Sequence, residues 1–110
     1  MEPFLLEITT TRPAAGDGEV STRRVVVRGE VDMSSASQLA AYLIDELGDG
    51  VTSLVVDASD VTFLDSTGLR VLVDVSARLD AIGGRLIVGP MSPSVRRVLE
   101  MTGLLERYSA

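Results

Sequence analysis

One short segment, Asp65-Ser66-Thr67-Gly68, brings a carboxylate and two hydroxyl groups together in consecutive residues. It follows an apolar run and precedes a stretch with helical apolar spacing, so it marks a change from strand to helix. A helix N-terminus has unpaired backbone N–H groups and a positive dipole end, and both favour negative charge there. The Ser66 hydroxyl is therefore a position where a phosphate could be added without unfolding the domain. The segment is a candidate switch.

Three residue types that many enzymes need are absent: the chain has no Cys, no His and no Lys, and all ten basic residues are Arg. The lack of Cys excludes disulfides, thiolate catalysis and cysteine-ligated metals. The lack of His excludes Ser-His-Asp catalysis and histidine phosphotransfer. The lack of Lys excludes a P-loop lysine and a Schiff base. We therefore expect a protein that is not an enzyme and that needs no metal or other cofactor.

The composition is that of a small acidic globular domain. We expect residues 1–110 to form one domain. The chain is 45% hydrophobic but has only two Phe, two Tyr and no Trp, so its core must be aliphatic. The net charge of -6 disfavours direct binding to nucleic acid or to an anionic membrane. The chain has no long apolar run and no signal-like N-terminus, which predicts a cytoplasmic protein without a membrane span.

Strands are predicted at residues 4–11, 20–31, 53–57 and 85–88, which are rich in β-forming residues. The first two are joined by a short Gly- and Pro-containing turn, which predicts an antiparallel pair. The third and fourth have unbroken apolar centres, which are typical of strands that are central or covered on both sides.

Three segments have the apolar spacing of amphipathic helices. The first follows a Ser cluster at 34–37 that can cap a helix, and its core positions are Leu39, Leu43 and Leu47. The second spans residues 66–80, and its predicted apolar face is Leu69, Leu72, Val73, Ser76 and Leu79. The third has Pro93 in its first turn, and its predicted apolar face is Val95, Val98, Leu99 and Thr102.

The predicted order is β-β-α-β-α-β-α, with residues 104–110 as a brief edge strand or an irregular tail. Alternating strands and helices predict parallel neighbours joined by right-handed crossovers. The fold class is therefore α/β, with a mixed, mostly parallel sheet of about four to five strands and three main helices.

Three motifs resemble those of STAS domains, in particular the bacterial anti-sigma factor antagonists. Residues 56–69 are similar to the family signature, in which an Asp closes a strand and an aromatic residue precedes an Asp-Ser-Ser/Thr-Gly turn and an apolar helix. Residues 29–32, Gly-Glu-Val-Asp, resemble the family's Gly-Glu-apolar-Asp, and residues 92–104 resemble its late helix. The resemblance covers nearly the full length. It also implies a further strand and a closing helix, and because only seven residues follow Gly103, we expect the closing helix to be missing.

The resemblance implies a partner-switching regulator of transcription. Such a protein binds an ATP-dependent anti-sigma factor serine kinase, and binding frees a sigma factor for RNA polymerase. The kinase phosphorylates the serine of the turn and so ends the binding, and a PP2C-type phosphatase restores the hydroxyl. Carried over by position, the acceptor is Ser66. The implied partner-binding residues are Asp32, Asp65, Thr67, Gly68 and Arg70.

Several of these residues also have simpler interpretations. Ser66 could be only the N-cap of its helix, and Thr67 is a weaker alternative acceptor. Asp32 is equally compatible with helix capping near Ser34 and with partner contact. Asp57 ends the predicted third strand, as the phospho-aspartate of receiver domains does. The acidic pair and the late lysine of that chemistry are absent, so we interpret Asp57 as a carboxylate that accepts backbone N–H groups in a loop.

Asp57, Asp60 and Asp65 lie close in sequence, and we expect them to oppose a phosphate on Ser66. A rival function keeps the fold: a STAS subunit of a lipid or anion transporter that docks on an ABC ATPase or membrane protein without phosphorylation. A small hydrolase that uses Ser66 would have only carboxylates as bases, and we disfavour it.

Overall fold

The computed structural model describes residues 6–11, 21–48 and 50–109. The elements are β1 (Glu7–Thr11), β2 (Thr22–Val31), α1 (Ala36–Asp45), β3 (Ser53–Leu64), α2 (Ser66–Ala81), β4 (Arg85–Met91), α3 (Pro93–Met101) and α4 (Leu105–Tyr108). The predicted turn at 13–18 and the predicted start of β1 at Phe4 lie outside the described residues.

Within the described ranges the sheet has four strands in the order β1-β2-β3-β4. β1 pairs with β2 antiparallel, whereas the β2–β3 and β3–β4 pairs are parallel. The predicted mixed, mostly parallel sheet is therefore confirmed, as is the antiparallel start. In β3, Leu54, Val56 and Ala58 are buried and alternate with half-exposed residues, because successive side chains of a strand point to opposite faces.

The predicted end of β3 at Asp57 is wrong, because the strand continues to Leu64. Its register with β2 jumps between the pairs Val26–Asp57 and Arg28–Asp60, so β3 carries an extra residue there. Such a bulge breaks the two-residue alternation, and the buried positions that follow recur every three residues instead. Because the alternation of buried and exposed residues is broken there, the sequence of the second half of β3 predicted a polar turn instead of a strand.

Helices α1 and α2 match the prediction in position but differ in detail. Leu39 and Leu43 are buried as predicted, while Leu47 is half-buried beyond the end of α1. In α2 the predicted face is partly wrong, because Val73 is 39% exposed. The buried residues of α2 are Gly68, Val71, Leu72, Val75, Ser76 and Leu79.

The C-terminal part of the described chain closes the core without an edge strand. Ser92 is the N-cap of α3, Pro93 is its first residue, and Thr102 is exposed at its end rather than on the apolar face. Residues Leu105–Tyr108 form a short helix where an edge strand or an irregular tail, without a closing helix, was predicted. This helix buries Tyr108, which is 1% exposed and is the one aromatic side chain in the aliphatic core of the described residues.

Candidate functional site

Two aspartates lie side by side where β2 and β3 end. The last residues of these strands, Val31 and Leu64, are register partners, and each strand is followed directly by an aspartate, Asp32 or Asp65. The Asp65 N–H donates a hydrogen bond of 3.2 Å to the Val31 carbonyl oxygen. Parallel neighbours end at the same edge of a sheet, which is where α/β proteins place their binding sites. The structure thus brings together two predicted site residues that are far apart in sequence.

The Asp65 side chain caps α2. Its Oδ1 accepts hydrogen bonds from the Thr67 N–H at 2.9 Å, the Gly68 N–H at 3.0 Å and the Thr67 hydroxyl at 2.5 Å. The hydrogen bond from the Thr67 hydroxyl is the largest influence on the pKa of Asp65, and together with the two N–H groups it lowers that pKa, although burial and the nearby Asp32 charge raise it. Asp65 is therefore ionised at neutral pH. The interpretation of Ser66 as the N-cap is wrong.

Ser66 is the first residue of α2 and is exposed to solvent. Its hydroxyl forms no hydrogen bond with any other described residue. The neighbouring Thr67 is half-buried and its hydroxyl is held by Asp65. Of the two hydroxyls in the turn, that of Ser66 is the one that is free to meet an incoming group.

Gly68 sets how closely α2 approaches the sheet. A Cβ atom at this position would lie 2.6 Å from Leu64 Cδ1 and 2.6 Å from Val31 Cγ1. Real Cβ contacts are not this short, so a side chain at this position would force Leu64, Val31 or the start of α2 to shift. Gly68 is buried rather than part of the outer surface, and it contributes by fixing where Ser66 and Thr67 stand.

Asp32 organises the loop between β2 and α1. Its Oδ1 accepts hydrogen bonds from the Ser34 N–H at 2.9 Å and the Ser34 hydroxyl at 2.7 Å, and its carbonyl oxygen accepts from the Ala36 N–H. The hydrogen bond from the Ser34 hydroxyl is the main reason that the pKa of Asp32 is lowered. Asp32 thus prepares the start of α1, for which Ser35 is the N-cap, and it is also half-exposed beside Asp65. Met33, which we had not singled out, is 81% exposed in the same loop.

The outer face of α2 continues from Ser66 as a shallow groove. Residues three and four apart share one side of a helix. The residues that line this groove of about 370 Å³ are Ser66, Leu69, Arg70, Val73 and Asp74, which we call the α2 stripe. The exposed Arg70 forms a loose ion pair with Asp74, with 3.9 Å between Nε and Oδ2. The sequence predicted Arg70 as a site residue, but it did not indicate Asp74, and it assigned Val73 to the core. Asp74 could have been found from its spacing, because Ser66, Arg70 and Asp74 are four residues apart.

Asp57 and Asp60, which we expect to oppose a phosphate on Ser66, lie along β3 rather than at its end beside Asp65. Asp57 is seven residues before Leu64, the last residue of β3, and at the rise of a strand these two residues are roughly 20 Å apart. Asp57 and Asp60 also pair with Arg24 and Arg28, at 3.2 and 3.7 Å. Asp65 directly precedes Ser66 in the chain, and the charge of Asp32 is close enough to Asp65 to raise the pKa of Asp65.

Asp57 acts as a carboxylate that organises the local backbone, as predicted, although it does so inside a strand. Its Oδ1 accepts hydrogen bonds from the Ser59 N–H at 3.0 Å and the Ser59 hydroxyl at 2.7 Å. Burial raises the pKa of Asp57, but the hydrogen bonds from Ser59 and Arg24 outweigh it and leave the pKa lowered.

The described ranges contain no group of three His, Cys, Asp or Glu residues arranged to hold a metal ion. None of the helices in the described ranges has the length and apolar character that a membrane span requires.

The chain is similar to known proteins of one family. The family model of the STAS domain matches residues 17–108. The chain is 33% identical over 82 residues to BtrV of Bordetella bronchiseptica, whose name gives it provisionally as an anti-sigma factor antagonist; the match covers 74% of this chain and 71% of BtrV. It is 31% identical over 88 residues to the anti-sigma F factor antagonist of Lysinibacillus sphaericus, covering 77% of this chain and 75% of that protein.

Solved structures show the same fold. The unphosphorylated form of the anti-sigma factor antagonist SpoIIAA has a TM-score of 0.76 at 23% identity and covers 94% of this chain and 86% of its own. The phosphorylated form of Bacillus SpoIIAA has a TM-score of 0.69 at 22% identity, with 94% and 89% covered. An anti-sigma factor antagonist from Mycobacterium paratuberculosis has a TM-score of 0.70 at 30% identity, with 93% and 83% covered.

Proposed function

The chain belongs to the STAS domain family and, within it, to the anti-sigma factor antagonists, and we propose that its unphosphorylated form binds an anti-sigma factor serine kinase and thereby releases a sigma factor. In this proposal the protein is a regulatory binding protein and not an enzyme, and it acts in the cytoplasm, where RNA polymerase works. The names of its relatives favour this function over a transporter subunit.

One observation carries the proposal: Ser66 presents an exposed hydroxyl without a hydrogen-bond partner in the described structure, whereas the Thr67 hydroxyl is held by Asp65. In the phosphorylation step the Ser66 Oγ forms a bond to the γ-phosphorus of ATP on the kinase. The bond from that phosphorus to ADP breaks, and the hydroxyl proton is released. A PP2C-type phosphatase would reverse the modification by hydrolysis.

The added charge explains how modification would end binding. A phosphoserine carries roughly −1.5 to −2 charges at pH 7, and here it would stand beside the carboxylates of Asp32 and Asp65. Its position at the start of α2 offsets part of this repulsion through the helix dipole. The cap made by Asp65 does not use Ser66, so the helix keeps its cap while the surface becomes strongly negative. A partner fitted against a neutral hydroxyl would then be repelled.

The partner surface in this proposal combines the aspartate pair with the α2 stripe. Asp32, Asp65 and Arg70 supply charge, and Leu69 and Val73 supply apolar area between them. Thr67 and Gly68 act mainly by holding the turn in place, since one is half-buried and the other buried.

The test is a phosphorylation and binding assay with the kinase encoded nearest the gene. Wild type is compared with Ser66→Ala and with Ser37→Ala, a matched control that removes an exposed serine of α1. We expect Ser37→Ala to be phosphorylated like wild type and Ser66→Ala to remain unmodified while still binding. Equal phosphorylation of Ser66→Ala would refute the acceptor, and co-purification with an ABC ATPase in place of the kinase would favour the transporter function.

A further inference from the structure

Three residues of the α2 stripe lie at intervals of four: Ser66, Arg70 and Asp74. Arg70 and Asp74 are charged, and Ser66 would become charged on phosphorylation. Residues i and i+4 lie one above the other on a helix. Arg70 therefore stands between the proposed phosphate acceptor and a carboxylate and can reach either of them. In the unmodified protein it contacts Asp74, with 3.9 Å between Nε and Oδ2, and the two side chains are 81% and 63% exposed.

We propose that Arg70 changes partner when Ser66 is phosphorylated, leaving Asp74 and forming an ion pair with the phosphate. This inference rests on the proposed function, because it assigns an intramolecular partner to the phosphate at the same site. It makes Arg70 a residue that carries the effect of the modification along α2.

The direction of the exchange follows from charge and geometry. The phosphate brings roughly −1.5 to −2 charges at neutral pH, whereas Asp74 brings one. On a helix, an acidic group placed four residues before a basic group pairs better than one placed four residues after it, because of the helix dipole. The phosphate would have the favourable order with Arg70, and Asp74 has the unfavourable one. A single exposed contact of 3.9 Å is also easily broken.

The exchange would alter the surface well beyond Ser66. Before modification the charges of Arg70 and Asp74 cancel within the stripe, and the three groups together carry no net charge. Afterwards the Arg70 charge is used by the phosphate and the Asp74 carboxylate is unpaired. Eight residues at 1.5 Å each make this change extend about 12 Å along α2. Leu69 and Val73, the apolar part of the stripe, would then lie between two newly rearranged charges.

The experiment places phosphoserine at position 66 during translation, so that no kinase is needed. Its second ionisation is then followed by phosphorus NMR in wild type, Arg70→Gln and Arg96→Gln. Arg96 is the matched control, because it forms a comparable i,i+4 pair with Glu100 on α3, at 3.3 Å. Both variants remove one positive charge and one exposed helical ion pair.

We expect Arg70→Gln to raise the pKa of the phosphate by roughly 0.3, which corresponds to the strength of an i,i+4 ion pair, and Arg96→Gln to leave it unchanged. We also expect the Nε–Hε resonance of Arg70, but not that of Arg96, to shift between the unmodified and phosphorylated proteins. Equal phosphate pKa values in the two variants, or an unshifted Arg70 resonance, would overturn the inference. A kinase that does not phosphorylate Ser66 would refute the proposed function without affecting this titration.

Discussion

Replacing Asp65 by Ala should lower the stability of the domain, whereas replacing the neighbouring Ser66 by Ala should not. The structure assigns the cap to Asp65, whose Oδ1 accepts three hydrogen bonds, and gives Ser66 no side-chain hydrogen bond within the described residues. Asp65→Ala removes the acceptor of two backbone N–H groups and one hydroxyl. Ser66→Ala removes a hydroxyl that forms no hydrogen bond with the rest of the described chain.

The expected magnitudes differ clearly. Loss of an N-cap side chain costs about 0.5 to 2 kcal/mol, and because one oxygen serves three donors here we expect about 1 to 2 kcal/mol for Asp65→Ala. For a domain of this size that lowers Tm by roughly 5 to 10 °C. Ser66→Ala should be neutral or stabilise by up to about 0.5 kcal/mol, since Ala is the better helix former.

Urea unfolding followed by circular dichroism measures both free energies, and Asp65→Asn serves as the control. Asn keeps an oxygen that can accept the same hydrogen bonds and is an equally good N-cap, so this variant should stay within about 0.5 kcal/mol of wild type at pH 7. If Ser66→Ala loses as much stability as Asp65→Ala, the assignment of the cap is wrong. A loss of function in Ser66→Ala could then no longer be separated from damage to the helix.

Three further predictions concern the same edge of the sheet and the C-terminal helix. Folding lowers the pKa of Asp65 below its ordinary value of 3.8. The charge of Asp65 therefore stabilises the fold at pH values above 3.8, and this stabilisation is lost as the pH falls through the pKa of the folded state. Wild type should therefore lose more stability than Asp65→Asn between about pH 5 and pH 2 in acid titrations of unfolding, and parallel curves would contradict this. Gly68→Ala should destabilise the fold by roughly 1 to 3 kcal/mol in urea unfolding, because the added Cβ would clash with Val31. This loss is expected even though Ala favours helices, and a variant as stable as wild type would show that the contact relaxes freely. Tyr108→Ala should cost about 3 to 5 kcal/mol as a buried aromatic, whereas Arg107→Gln, which breaks an exposed ion pair to Asp80, should cost less than about 1 kcal/mol in the same measurement.

The site separates two tasks that a single residue could have combined. Asp65 caps the helix start, and the exposed Ser66 beside it takes no part in the cap. A phosphate on a capping hydroxyl would remove a hydrogen bond on which the helix depends. With the cap on a different residue, the proposed modification changes surface charge while the fold is kept. This arrangement suits a protein that must bind again after the phosphate is removed.

Local sequence determined most of the element types and the position of the candidate switch. The apolar spacing of residues 66–80 depends on neighbours close in the chain and reflects the geometry of a helix. The aliphatic core follows from the composition, which has few aromatic residues. The order of strands and helices in turn predicted a mixed, mostly parallel sheet, which the structure confirms.

The tertiary structure alone decided what surrounds Ser66. Asp32 reaches the site because β2 and β3 are parallel neighbours that end together, whereas Asp57, much closer in sequence to Ser66, is carried away by a strand that continues through a bulge. The choice of Asp65 as the cap also depends on the conformation of the turn, since Asp and Ser are both good capping residues. Short-range sequence patterns indicate which local structure a segment prefers. The distances between segments depend on strand register and packing, and residues that are remote in the chain contribute to both.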